Sequence, residues 1–220
     1  MPRSSNTALA DATLEAPPQP NLQVVVPRDG GPGGTVQSPP VSNARVAIAM
    51  FLVAESMFFA GLIGAYLVFR VGSVVWPPPG LPALPLGITW LNTIFLFASG
   101  VTMIQALRGI RRGDQRALRI GLAWTTALGA VFVAVQGYEW VQLLRHGLTA
   151  SSGPYGSTFY TLIGTHAVHV VGAMGWVGYV AWMTHRGRYS ARTHDGVEVC
   201  AVYWLYVCAL WGILFWLVYH

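Results

Sequence analysis

The chain has 220 residues, of which 54% are hydrophobic and 10% are charged. Soluble domains carry about 25% charged residues, so this composition excludes an ordinary soluble protein and indicates a protein of the membrane. The formal net charge is +5, and the sequence contains no lysine, so arginine carries all of the positive charge. We attribute this charge to membrane topology and contact with anionic lipid, and we predict no binding of nucleic acid.

The first 43 residues differ from the rest of the chain. They contain "APPQP", "DGGPGG" and "SPP" and lack a periodic apolar pattern. Such a segment buries too little apolar surface to offset the entropy of ordering it, so we predict a disordered cytoplasmic tail over residues 1–43. No apolar core follows Arg3 closely, which argues against a signal peptide.

Apolar runs long enough to cross a bilayer follow the tail. A run of about 18 residues suffices for a membrane span, and short loops rich in Gly, Pro and Arg separate the runs. The predicted fold is therefore all-α, a polytopic membrane helix bundle of five transmembrane helices within residues 44–220. The predicted spans are 44–69, 87–107, 117–144, 158–183 and 197–219.

Arginine placement predicts the orientation of the spans. The loop after the second span, "GIRRGDQR" from Gly109, and the loop after the fourth, "HRGRYSARTHDG" from His185, are rich in arginine. The other two connections have a single arginine each, Arg70 and Arg145, at a span end. By the positive-inside rule the arginine-rich loops are cytoplasmic. The N-terminus is then cytoplasmic, and the C-terminus lies on the outer, periplasmic side.

Three ionisable side chains are predicted near the middle of the bilayer. Glu55 lies about 16 Å into the first span, and His166 and His169 lie about 12–17 Å into the fourth, which enters from the opposite side. Buried ionisable groups in membrane spans are functional candidates, and a hydrogen bond between Glu55 and one histidine would lower the free energy of burying both. Glu55 either joins helices as a neutral hydrogen-bonding group or takes part in proton uptake.

Two further carboxylates are placed closer to the membrane surfaces. Glu139 lies towards the outer end of the third span and Glu198 in the first turn of the fifth. Solvated or helix-capping carboxylates are ordinary at such positions, and Glu198 complements the helix dipole there. We interpret both as interface carboxylates.

The two histidines of "HAVH", at i and i+3, share a helix face, but a metal site normally needs three or four protein ligands. No third ligand is predicted at that depth, so we expect neither a metal, nor a haem, nor a catalytic residue in this chain.

Lipid contacts and helix packing are predicted from two further patterns. Arg108, Arg111 and Arg112 end the second span, where guanidinium groups can bind the phosphates of phospholipid head groups. Gly172, Gly175 and Gly178 recur at intervals of three in the fourth span. Small residues let helices approach closely in lipid.

Five segments in order resemble subunit III of the haem–copper oxidases, closest to the cytochrome c oxidase type. "AESMFFAGLIGAYLVFR" is similar to the family's "SE-MFF" helix, and "WLNTIFLFASGVTM" to its "LNT…SG" helix. "QGYEW", "GPYGSTFYTLIGTHAVHVVGAMG" and the last span resemble the remaining motifs. The resemblance runs from residue 51 to residue 219 and matches the short five-helix bacterial form. The family's long form has two more helices, which in the short form an extended subunit I often supplies.

The resemblance implies a cofactor-free subunit of the bacterial inner membrane. Its partners are subunit I in direct contact, subunit II in the same complex, and bound phospholipid. Haem and copper belong to the partner subunits, and subunit III supports proton uptake and protects subunit I from inactivation. The family's last helix reads "WHFVD..W", whereas here Leu205 and Cys208 replace the histidine and the aspartate.

Several alternatives stay open. A quinol oxidase subunit III shares the motifs, because electron entry is decided in subunit II. Subunit III-like proteins that accompany nitric oxide reductases tend to lose the glutamate at position 55, which disfavours that reading. A small proton-coupled transporter would also place Glu and His in the membrane. It should show internal repeats and broken helices, and the sequence shows neither.

Overall fold

A computed structural model describes residues 43–79 and 86–219 of the chain. These residues form five long helices, each apolar enough to cross a membrane. They are α1 (Asn43–Gly72), α2 (Leu86–Arg111), α3 (Gln115–Arg145), α4 (Gly153–His185) and α5 (Asp195–Tyr219). The predicted five-span helical bundle is confirmed. The predicted tail, apart from Asn43, and His220 lie outside the described residues.

The helices are longer than the predicted spans. An apolar run gives the length of the membrane span, whereas the helix continues into polar turns at its ends. Asp114 caps α3, since its side chain accepts a hydrogen bond from the backbone N–H of Ala117 at 2.9 Å. α4 begins five residues before its predicted start, with Pro154 in its first turn. Proline fits the first turn because the amide N–H that it lacks would have no partner there.

Helices α2 to α5 pack in a closed ring, and α1 lies outside it. α2 packs on α3, α3 on α4, α4 on α5, and α5 returns to α2. Within the described residues α1 packs only on α4 and α5. Accordingly, only 11% of the most apolar 18-residue stretch of α1 is buried in the bundle, against 56% of the corresponding stretch of α5. α1 is therefore a peripheral helix whose attachment depends on a few contacts.

The closest helix pair is α2 with α3. A Cβ added to Gly121 would lie 2.7 Å from the Ala106 side chain, so only glycine permits this approach of the two backbones. Hydrogen bonds then fix α5 against α2. Trp204 Nε1 donates to Ser99 Oγ at 3.2 Å, and Trp211 Nε1 donates to Thr93 Oγ1 at 3.0 Å. The two indole N–H groups thus find hydrogen-bond acceptors inside the bundle, where little water is present to accept from them.

Candidate functional site

The structure brings Glu55 and His169 together between α1 and α4. His169 Nε2 lies 2.8 Å from Glu55 Oε2, and the two side chains are only 19% and 16% exposed. The other ring nitrogen, Nδ1, lies 2.7 Å from the backbone oxygen of Thr165, one turn earlier on α4. The imidazole therefore has contacts at both nitrogens.

These contacts determine how many protons the pair holds. A backbone oxygen only accepts, so His169 Nδ1 carries a hydrogen that it donates to Thr165. Nε2 then carries a lone pair if the ring is neutral, or an N–H if the ring is an imidazolium. A proton between Nε2 and Oε2 would make this contact a hydrogen bond, whereas two facing lone pairs at 2.8 Å would repel each other. With that proton in place, Glu55 is a carboxylic acid facing a neutral imidazole, or a carboxylate facing an imidazolium.

The contact is close, but its geometry falls short of a hydrogen bond. Oε2 of Glu55 has no partner with full hydrogen-bond geometry among the described residues. Phe59 packs edge-on against the His169 ring, with centroids 5.1 Å apart, and closes the apolar side of the pair. The Glu55–His169 pair is thus a mostly buried contact that joins the peripheral helix α1 to the ring of four helices.

His166, the other predicted partner, does not contact Glu55 through a hydrogen bond. It is 1% exposed and stacks on Trp211, with ring centroids 5.4 Å apart. Neither ring nitrogen has a hydrogen-bond partner in the described part of the chain. The pair "HAVH" therefore separates into one histidine that faces α1 and another that packs in the bundle core.

Glu139, predicted as an interface carboxylate, is not solvated in the structure. Glu139 is 2% exposed and lies between α2 and α3. Thr89 Oγ1 lies 3.0 Å from Oε1, and Gln136 Nε2 donates to Oε2 at 3.1 Å. Its position near the end of an apolar run suggested the interface, but hydroxyl and amide groups on two helices satisfy it inside the bundle instead.

Glu198 is also not solvated. It lies in the first turn of α5, as predicted, but it accepts from two arginines. Arg45 on α1 lies 2.8 Å from Oε2, and Arg111 on α2 lies 2.5 Å from Oε1. One carboxylate thus joins the ends of three helices, and the side chains of both arginines are about half exposed.

This pairing corrects part of the predicted lipid site. Arg111 contacts Glu198 and is not a freely available phosphate ligand. Arg108 and Arg112 are exposed at the same end of α2. These two arginines remain the predicted head-group ligands.

No metal centre emerges from the described residues. Within residues 43–79 and 86–219, no three His, Cys, Asp or Glu side chains converge in a group that could hold an ion. Cys200 and Cys208 are buried free thiols in this part of the chain. The absence of a metal or haem in this chain stays a prediction.

The sequence prediction missed the polar contacts of α2. Thr89, Asn92 and Thr93, at i, i+3 and i+4, share one helix face, and all three are buried. Asn92 Nδ2 donates to the backbone oxygen of Phe132 at 3.1 Å. Polar residues at helical spacing inside an apolar run were the available signal for this contact surface.

The comparisons with known proteins all indicate the same family. The family model described as cytochrome c oxidase subunit III matches residues 32–220. A cytochrome c oxidase subunit 3 from Synechocystis is 39% identical over 173 residues, which cover 78% of this chain and 73% of that protein. One from Thermostichus vulcanus is 35% identical, covering 79% of this chain and 85% of the relative. The pig protein of the same name is 30% identical, covering 78% and 67%.

Proposed function

The chain belongs to the family of cytochrome c oxidase subunit III, and we propose that it is subunit III of a proton-pumping haem–copper oxidase. The observation that carries this proposal is the family match over residues 32–220, which include all five helices. Subunit III of a cytochrome c oxidase works in a complex with other subunits. We infer that this chain contacts subunit I directly and shares the complex with subunit II.

The proposed role is support of subunit I rather than redox chemistry. Among the described residues no ligand set suits a metal, whereas Glu55 and His169 form a close carboxyl–imidazole pair that can hold a proton. A proton-holding group near the middle of the membrane suits a subunit that assists proton uptake by its neighbour. It equally suits a helix-joining contact, and we favour the structural role because the oxygen chemistry belongs to subunit I.

Membrane placement and lipid binding complete the proposal. The membrane is the bacterial inner membrane, with the N-terminus cytoplasmic and the C-terminus periplasmic. The arginines of the α2–α3 and α4–α5 connections support this orientation. Arg108 and Arg112 bind phosphate groups of phospholipids on the cytoplasmic side. Haem and copper reside in the partner subunits.

Depletion of the chain tests the supporting role. An oxidase purified with and without this subunit should have the same haem content and the same initial rate of oxygen consumption. The depleted enzyme should inactivate after fewer turnovers and recover when the subunit is added back. Equal catalytic lifetimes with and without the chain would contradict the role.

A further inference from the structure

Glu139 is buried inside the bundle without a positively charged partner. Its side chain is 2% exposed, and it lies on α3 within the predicted third span. Among the residues that the structure describes, the ion pairs involve Glu55 and Glu198, and no arginine or histidine pairs with Glu139. An isolated carboxylate in an apolar interior that offers little water is strongly unfavourable, and such a group takes up a proton instead.

The hydrogen-bond partners of Glu139 in the described part of the chain are neutral. Thr89 Oγ1 on α2 lies 3.0 Å from Oε1 and 3.3 Å from Oε2, and Gln136 Nε2 lies 3.1 Å from Oε2. The buried phenol of Tyr219 on α5 lies beside the carboxyl group, and Tyr155 of α4 is close to that phenol. Phenols are uncharged near pH 7, so none of these neighbours offsets a negative charge.

These distances suit a neutral carboxylic acid at both of its oxygens. A protonated Oε1 of Glu139 donates to Thr89 Oγ1, because a hydroxyl oxygen can accept a hydrogen bond. Oε2 is then the carbonyl oxygen, and it accepts from the amide N–H of Gln136. Both oxygens have a partner in this state, and no charge is buried. An ionised carboxylate has about four acceptor sites, and the hydroxyl and the amide would fill only part of them.

Glu198 shows the opposite arrangement in the same chain. Its carboxylate contacts the guanidinium groups of Arg45 and Arg111, whose side chains are about half exposed. Two positive charges that water also reaches therefore keep Glu198 ionised. Glu139 is more deeply buried and has neither of these stabilising features among the described residues.

We propose that Glu139 is a proton-binding site of this chain, a carboxylic acid that keeps its proton at neutral pH. The site is built by α2 and α3, and it is separate from the pair of Glu55 and His169 between α1 and α4. Its proton supplies the hydrogen bond from Glu139 to Thr89 and so joins the two helices without burying a charge. The inference goes beyond the proposed function and does not depend on which subunits the chain contacts.

Infrared spectroscopy of the complete oxidase tests the protonation state. A protonated carboxyl group has a C=O stretching band that a carboxylate lacks. The difference spectrum between the wild type and Glu139→Gln at neutral pH should contain one such band. Glu198→Gln is the matched control, and it should remove carboxylate bands and no band of a protonated carboxyl group. A Glu139→Gln difference spectrum with carboxylate bands alone would overturn the proposal.

The stability of two variants gives an independent readout. A glutamine at position 139 reproduces the neutral acid, because its N–H can donate to Thr89 and its carbonyl oxygen can accept from Gln136. Glu139→Gln should therefore assemble and unfold at nearly the wild-type temperature. Glu139→Leu removes both hydrogen bonds and should unfold several degrees lower. Failure of the glutamine variant to assemble, or a loss as large as that of the leucine variant, would also overturn the proposal.

Discussion

Glu55 on α1 and His169 on α4 meet between the two helices, with 2.8 Å between Oε2 of the carboxyl group and Nε2 of the imidazole. It lies on the one helix that is outside the ring of four, where few other polar contacts are made. Arg45 to Glu198 at one end of α1 and Arg70 to the backbone oxygen of Leu217 near the other are further polar attachments. The pair thus lies between two end contacts and fixes the middle of the peripheral helix.

Substitutions at Glu55 separate hydrogen bonding from proton exchange. Glu55→Gln keeps an N–H that can donate to His169 Nε2, so we expect normal assembly and a change in unfolding free energy within about 1 kcal/mol. Glu55→Leu leaves Nε2 without a partner and should destabilise the protein by about 1–3 kcal/mol. Thermal unfolding of the purified complex measures both changes. An assembled Glu55→Gln oxidase with clearly reduced proton uptake would show that the structural role is incomplete.

The three-helix contact of Glu198 gives a second prediction. Glu198→Ala removes the shared partner of Arg45 and Arg111 and should destabilise the chain by about 1–2 kcal/mol, because both guanidinium groups are still partly solvated. Asp195→Ala is the matched control, since Asp195 is exposed in the same first turn of α5. Chemical unfolding compares the two variants. Equal losses of stability would mean that the ion pairs contribute nothing specific.

The sequence predicted the spans and the contact between Glu55 and a histidine of α4, because both depend on distances along the chain. Apolar length fixes a membrane span, and residue counting placed Glu55 and the two histidines at one depth. Depth alone could not choose between His166 and His169, since the choice depends on the rotation of α4 about its axis. Burial of Glu139 and pairing of Arg111 were missed because they depend on which helices become neighbours.

Lipid binding at the arginine-rich end of α2 gives a third prediction. The combined variant Arg108→Gln, Arg112→Gln should lose anionic phospholipid from the purified complex, because these two exposed guanidinium groups are the proposed phosphate ligands. Arg145→Gln, at the opposite end of the neighbouring helix, is the control. Mass spectrometry of the intact complex counts the retained lipids. An unchanged lipid content would leave the two arginines as topology signals only.

Topology is tested by cysteine labelling in intact cells. Arg116→Cys and Ser151→Cys place thiols at exposed positions on opposite sides of the predicted membrane, and the native Cys200 and Cys208 are buried. A membrane-impermeant reagent added from outside should label Cys at position 151 and leave position 116 unlabelled until the membrane is opened. Labelling of position 116 from outside would reverse the orientation.

The most direct test of the central claim is purification through a tag on this chain, followed by an optical spectrum and an oxygen-consumption assay. If the chain is subunit III of a cytochrome c oxidase, the purified material contains haem-bearing subunits and consumes oxygen when reduced cytochrome c is supplied. A colourless preparation that contains this chain alone, with no oxygen consumption from cytochrome c, would contradict the account.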